Sequence, residues 1–131
     1  MRWQSAKRAA QARRFGPIRK EFVQTFRFCV CCGHTKDLCC HEIVCGNSFR
    51  AAAETERAAW LAVCDDCNKY QLTDYSIWPI ERQLAVKWIF DKQYFDLDKI
   101  CTLRGRVPGC IEMWEVIPHI CRQLDGVLSW D

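Results

Sequence analysis

Two stretches carry residues whose type and spacing suit metal chemistry: Cys29-Val30-Cys31-Cys32-Gly33 and Cys64-Asp65-Asp66-Cys67. Taking Cys29 with Cys32, each is a C-x-x-C pair, the spacing that lets two thiolates grip one ion from a single tight turn. Two such knuckles complete a tetrahedral set, so Cys29, Cys32, Cys64 and Cys67 are the expected ligands of a structural Zn²⁺. Four thiolates leave no open position for a substrate. The ion would instead join the N-terminal and central segments and help fold a small core. Cys31 is an alternative ligand to Cys29 or Cys32, although C-x-C and C-C spacings suit a knuckle less. Cys39 or Cys40 is a further alternative.

Between the knuckles lies CCHEIVC, residues 39–45, with His41 at its centre. An imidazole titrating near pH 6.5 can take a proton from water or bind a metal. The remaining cysteines, Cys39, Cys40, Cys45, Cys101, Cys110 and Cys121, read most simply as small buried hydrophobes. Neither C-x-x-C sits in a βαβ pattern, which disfavours a thioredoxin-like redox role. His34, beside a turn, and His119, after Pro118, read as structural.

The elements that must position these groups follow from periodicity. Residues 3–14 favour a helix, Gly16 breaks it, and Pro17 opens a second helix with Ile18, Phe22 and Phe26 on a buried face. Residues 27–45 suit a tight turn and a short hairpin strand containing His41. FRAAAETERAAW, residues 49–60, is either one helix or a loop with a helical turn. A helix starting near Asp65 or Asp66 places acids at its N-terminus and Asn68 in its first turn. Pro79 opens a helix with Ile80, Leu84 and Trp88 on one face, Asp96 caps another that stops at Gly105, and Pro118 should kink or divide the last.

The 131 residues suit one domain: a basic helical lead-in over 1–27, a zinc-bearing core over 28–77 and a helical extension over 78–131. Half the residues are hydrophobic, and no apolar run approaches the roughly 20 residues of a membrane span. The N-terminus lacks the apolar centre of a secretory signal, so the chain reads as cytosolic and its eleven cysteines as thiols rather than a disulfide framework. Net charge is +3, but residues 1–27 carry eight Lys/Arg against Glu21 alone, while the rest has 11 basic and 15 acidic residues. A basic arm on a near-neutral body is the footprint expected of nucleic-acid binding, and a solvated helix face is the plainer account of the same charges.

The order C-x-x-C, HEI, C-x-x-C-N resembles the zinc-knuckle branch of the HNH endonucleases, the ββα-metal nucleases. The resemblance runs from about Phe15 to Arg106 and is carried by ARRFGPIRKEF, HEIVCGNSFR, AAWLAVCDDCNKY and DKQYFDLDKICTLRGR, the last similar to small phage-type or prophage-type members. It implies an α+β fold with a ββα-metal core, helical extensions at both ends, and a hairpin and helix gripping one catalytic divalent metal such as Mg²⁺ or Mn²⁺. His41 then takes the general-base position and Asn68 that of a metal ligand; in an alternative register His41 is the ligand and Glu42 the base. The chain departs from the pattern at Cys40, where Asp or His often precedes the base, and at Ala59 or Trp60, where the central Asn should stand. Asn47, Asp65 and Asp66 are candidates to compensate.

The resemblance makes DNA the expected partner, with Arg13, Arg14, Arg19 and Lys20 on the lead-in, Arg50 and Arg57 near the phosphate, and Arg104 and Arg106 adding backbone contacts. Two rival readings are a non-catalytic zinc module binding nucleic acid or protein, and a structural phage-type component.

Overall fold

The computed structural model describes residues 5–43 and 50–125. Helix α1, Ala6–Phe26, starts at Ser5, whose hydroxyl accepts a hydrogen bond from the Arg8 backbone N–H at 3.1 Å. The expected break at Gly16–Pro17 does not occur, and Pro17 lies inside one continuous helix. Proline normally disfavours helical geometry in the residue before it through a clash with that residue's Cβ; Gly16 has none. Continuity also rotates the buried face. Phe22 and Val23 are buried, Phe26 is partly so, and Ile18 is 46% exposed rather than inward. Arg27, in the left-handed region at φ 62°, ends the helix.

A two-stranded antiparallel sheet follows: β1, Leu38–Glu42, pairs with β2, Trp60–Cys64, placing Leu38 opposite Cys64 and His41 opposite Leu61. Between the strands the described chain forms α2, Arg50–Glu54, and a 3₁₀ turn, Arg57–Ala59. The described part of the 49–60 stretch is thus two short helical turns, Arg50–Glu54 and Arg57–Ala59, leading into β2. β2 is buried along its whole length, and α1 packs across the hairpin. Trp60, 2% exposed, sits in an edge contact with Phe22 and donates its indole N–H to the Ala53 carbonyl. Burying one such ring is worth about 1.5–3 kcal/mol.

Beyond β2 the chain turns into a helix at Asp65 that is π-wound over Cys67–Gln71. Helices α3, Ile80–Phe90, α4, Leu97–Leu103, and α5, Met113–Asp125, complete the chain, with α3 packed on α5. Asp96 caps α4 by accepting from Lys99 N–H, and Gly105, at φ 71°, ends it. Pro118 lies inside an undivided α5, on its exposed side.

The core is one cluster that joins Phe22 and Val23 of α1, all of β2, Leu84 and Val86 of α3, Ile100 of α4, and Val116 and Ile120 of α5. Lys87 is fully buried within it. Its ammonium donates to the carbonyls of Arg57 and Trp60, each at 2.8 Å, and to Asp91 at 2.6 Å, so every donor is used. The fold is α+β. No described helix is long and apolar enough to cross a membrane.

Candidate metal centre and histidine site

The sulfurs of Cys29, Cys32, Cys64 and Cys67 lie within 4.8 Å of one another, and Cys32 and Cys64 approach to 3.6 Å. Tetrahedral zinc with bonds of about 2.3 Å sets its sulfurs roughly 3.8 Å apart, so the four residues fit that ion. The backbone builds the grip. Gly33, at φ 81°, closes the first knuckle by donating to the Cys29 carbonyl at 2.8 Å, a left-handed turn that favours glycine. Val30 N–H pairs with the Ala62 carbonyl and Asp65 N–H with the Asp37 carbonyl, lashing both knuckles to one end of the hairpin.

The thiols bias one another in the way such a set must. A side-chain hydrogen bond from Cys31, against the cost of burial, pulls Cys29 down to about 4, and backbone N–H groups assist. Burial first, then neighbouring sulfurs, pushes Cys32 up to about 11 and Cys67 upward as well. One thiolate forms readily and the next ones are opposed, which is the electrostatics a divalent cation resolves. Cys31 donates to Cys29 and stands outside the set, as do Cys39 and Cys40. Among the described residues this is the only group of three or more Cys, His, Asp or Glu side chains close enough to share an ion.

The cysteines read as buried hydrophobes divide. Cys101 is buried, Cys39 and Cys40 are half-buried, and Cys110 and Cys121 are exposed because they fall on outward positions of a turn and of α5. Cys45 and Asn47 lie outside the described residues.

His41 is 3% exposed and held at both ring nitrogens. Nε2 faces Gln83 Oε1 at 2.9 Å and Nδ1 faces Asn68 Oδ1 at 3.0 Å. The Gln83 orientation follows from its other bonds. The Gln83 NH₂ donates to the carbonyls of Leu72 and Trp78, leaving its oxygen for His41. Asn68 presents its oxygen to the ring. Burial first lowers the His41 pKa, and the two amide contacts oppose it. Burial thus favours the neutral ring, which can donate to only one of the two oxygens at a time.

Strand alternation separates the rest of CCHEIVC. Cys39 shares the His41 face, beside Asn68, whereas Cys40 and Glu42 turn the other way, toward α1. Burial pushes Cys40 up to about 12, a neutral thiol, and Glu42 lies 3.7 Å from the Arg19 guanidinium. The alternative register thus puts its base, Glu42, on the opposite face from its ligand, His41. Asp65 is paired with Lys69 at the surface, and Ala59 is buried.

Among the basic residues Arg13, Arg14 and Lys20 are exposed on α1, and Arg104 and Arg106 are exposed after α4. Arg19 is a brace instead: it donates to the carbonyls of Cys40 and Glu54 and lies over the Trp60 ring. Arg57 stacks on Tyr94 and Phe22 and pairs with Asp91 at 3.4 Å. The Arg50 side chain lies outside the described residues. Motif reading misses Gln83, although a signal exists. Gln83 and Lys87 are polar residues at i and i+4 on the apolar stripe of α3, where a buried polar group must serve a partner.

Comparison with known proteins found no family model, no curated protein and no solved structure that matches this chain.

Proposed function

We propose that the chain is a zinc-stapled nuclease of the HNH type that hydrolyses phosphodiester bonds in DNA, with His41 as general base. One observation carries this reading. Both ring nitrogens of His41 face amide oxygens, at 3.0 Å and 2.9 Å. That surrounding suits an imidazolium, the species a general base becomes. A neutral ring donates to only one of these oxygens, whereas an imidazolium donates to both through charge-assisted hydrogen bonds. Burial keeps the ring neutral before the step, and the two oxygens hold the proton after it. Gln83 and Asn68 orient the ring through its two nitrogens.

The order of hairpin, knuckle and helix supports the ββα reading, since His41 comes from the first strand and Asn68 from the helix after the second. A divalent metal of this class, when bound, stabilises charge on the phosphate and the leaving oxygen. Magnesium keeps several waters and needs only one or two protein groups besides substrate phosphates, so a sparse donor set is compatible with it. Asn68 Oδ1, with a second lone pair, would hold it.

A second reading, a non-catalytic zinc module that binds nucleic acid, is favoured by the burial of His41 and by Ala59 or Trp60 at the central-Asn position. A substrate panel separates the two. Zinc-loaded protein with added Mg²⁺ or Mn²⁺ is incubated with duplex, nicked and branched DNA. Metal-dependent cleavage of any of them is expected; intact DNA throughout, with binding retained, selects the module.

A further inference from the structure

A cavity of about 420 Å³ opens between the start of α3 and the face of α5, with Ser76, Pro79, Arg82, His119, Arg122 and Gln123 among its lining residues. No carboxylate lines it. Arg82 and Arg122 both line it, and neither is in an ion pair among the described residues. Like charges gathered on the lining of one cavity cost energy that an anion would recover.

The donors are held in place. Arg82 lies 3.8 Å from the Trp78 ring centroid and donates to the Ile77 carbonyl at 2.8 Å, which fixes the rest of its fork. Arg122 donates to His119 Nδ1 at 2.8 Å, so the His119 proton sits on Nε2 as a further donor. The eleven-residue α3 begins at the cavity wall with Pro79 as its N-cap and no side chain capping its first N–H groups, adding positive potential. The nearby acids are otherwise placed: Asp74 is bonded to Ser76, and Glu81 acts on His119 without lining the cavity.

We propose that this cavity is a seat for a phosphate group of the nucleic-acid substrate, gripped by Arg82, Arg122 and His119. The choice of nucleic acid rests on the nuclease reading above. The shared chemistry is a tetrahedral phosphate oxyanion, supplied either by an internal phosphodiester or by a strand's terminal phosphate.

The test follows the His119 ring by NMR in zinc-loaded protein titrated with inorganic phosphate, then with a DNA tetranucleotide carrying or lacking a 5′-phosphate. Saturable His119 shifts with phosphate and with DNA are expected, beyond those caused by chloride at equal ionic strength. Arg122→Gln, on the exposed side of α5, should weaken both at least about tenfold, the loss of one charged hydrogen bond. Tighter binding of the 5′-phosphorylated strand assigns the seat to a terminal phosphate, and equal binding to a diester. No shift beyond chloride, unchanged affinity in Arg122→Gln, or a response to phosphate with none to either DNA would overturn the proposal. Cleavage is scored separately: wild type that cleaves DNA without a His119 response sinks the seat alone, and a His119 response without cleavage sinks the nuclease alone.

Discussion

The four-cysteine cluster and the His41 site lie on the same hairpin, yet they are assembled on different terms. The cluster draws its ligands from two tight turns at one end of the sheet, where spacing in sequence nearly dictates spacing in space. The histidine site joins β1 to a side chain 27 residues on and another 42 residues on, and only the packed core brings them together. Local geometry brings the four sulfurs together; distant packing alone assembles the histidine and its two amides.

That contrast breaks first at the cluster. Removing the ion with a chelator, or Cys64→Ser, should abolish cooperative thermal unfolding followed by circular dichroism, because structural zinc contributes on the order of 10 kcal/mol to small domains. A sharp transition at unchanged temperature would show that the cluster holds nothing the fold needs. His41→Ala should behave oppositely: zinc content kept, and DNA cleavage down by about 10²–10⁴-fold, the span of general-base catalysis.

Gln83→Leu sharpens the boundary between the two. It strands the Leu72 and Trp78 carbonyls without their donor, so urea denaturation should register a loss of about 1–3 kcal/mol. It also removes a hydrogen bond that raises the His41 pKa, so the acid limb of the cleavage profile should move to lower pH. The same logic applies to stability. The folded-state pKa of His41 lies below the unfolded value of about 6.5, so its contribution is present above that pH. It is lost as pH falls, because the unfolded chain takes up a proton that the folded one excludes. Urea midpoints of wild type and His41→Ala measured from pH 8 to 5 should therefore converge toward acid.

The smallest effect concerns the basic residues. Neutralising Arg13, Arg14 and Lys20 should leave stability within about 0.5 kcal/mol and lower the salt dependence of DNA binding by about one unit of slope for each phosphate no longer neutralised. Arg19→Gln should do the reverse, destabilising the fold with little change in that slope, because its donors are spent on Cys40 and Glu54.

Legibility in the sequence follows the same division. The knuckle ligands, the strand bearing His41, the helix at Asp65 and the caps at Asp96 and Gly105 are readable because each rests on interactions within a few residues. The continuity of α1 through Pro17 is not, since a proline mid-helix normally reads as a break, and Gly16 relieves only the part of its clash that involves the preceding Cβ. Cys40 looks like the altered ligand because it precedes His41, but strand alternation sends it to α1 and leaves Cys39 beside Asn68. Arg19 and Arg57 count as surface charge in a composition, whereas tertiary packing turns both inward. The phosphate seat is invisible for the same reason: Arg82 and Arg122 lie on different helices.

The most direct test of His41 as the base is the rate of DNA cleavage against pH for zinc-loaded wild type with added Mn²⁺, beside His41→Ala. The wild-type rate should rise through an acid limb below about pH 6.5, where His41 loses its proton, and that limb should be missing from the slow residual rate of the variant. Equal rates and superimposable profiles for the two proteins would contradict it.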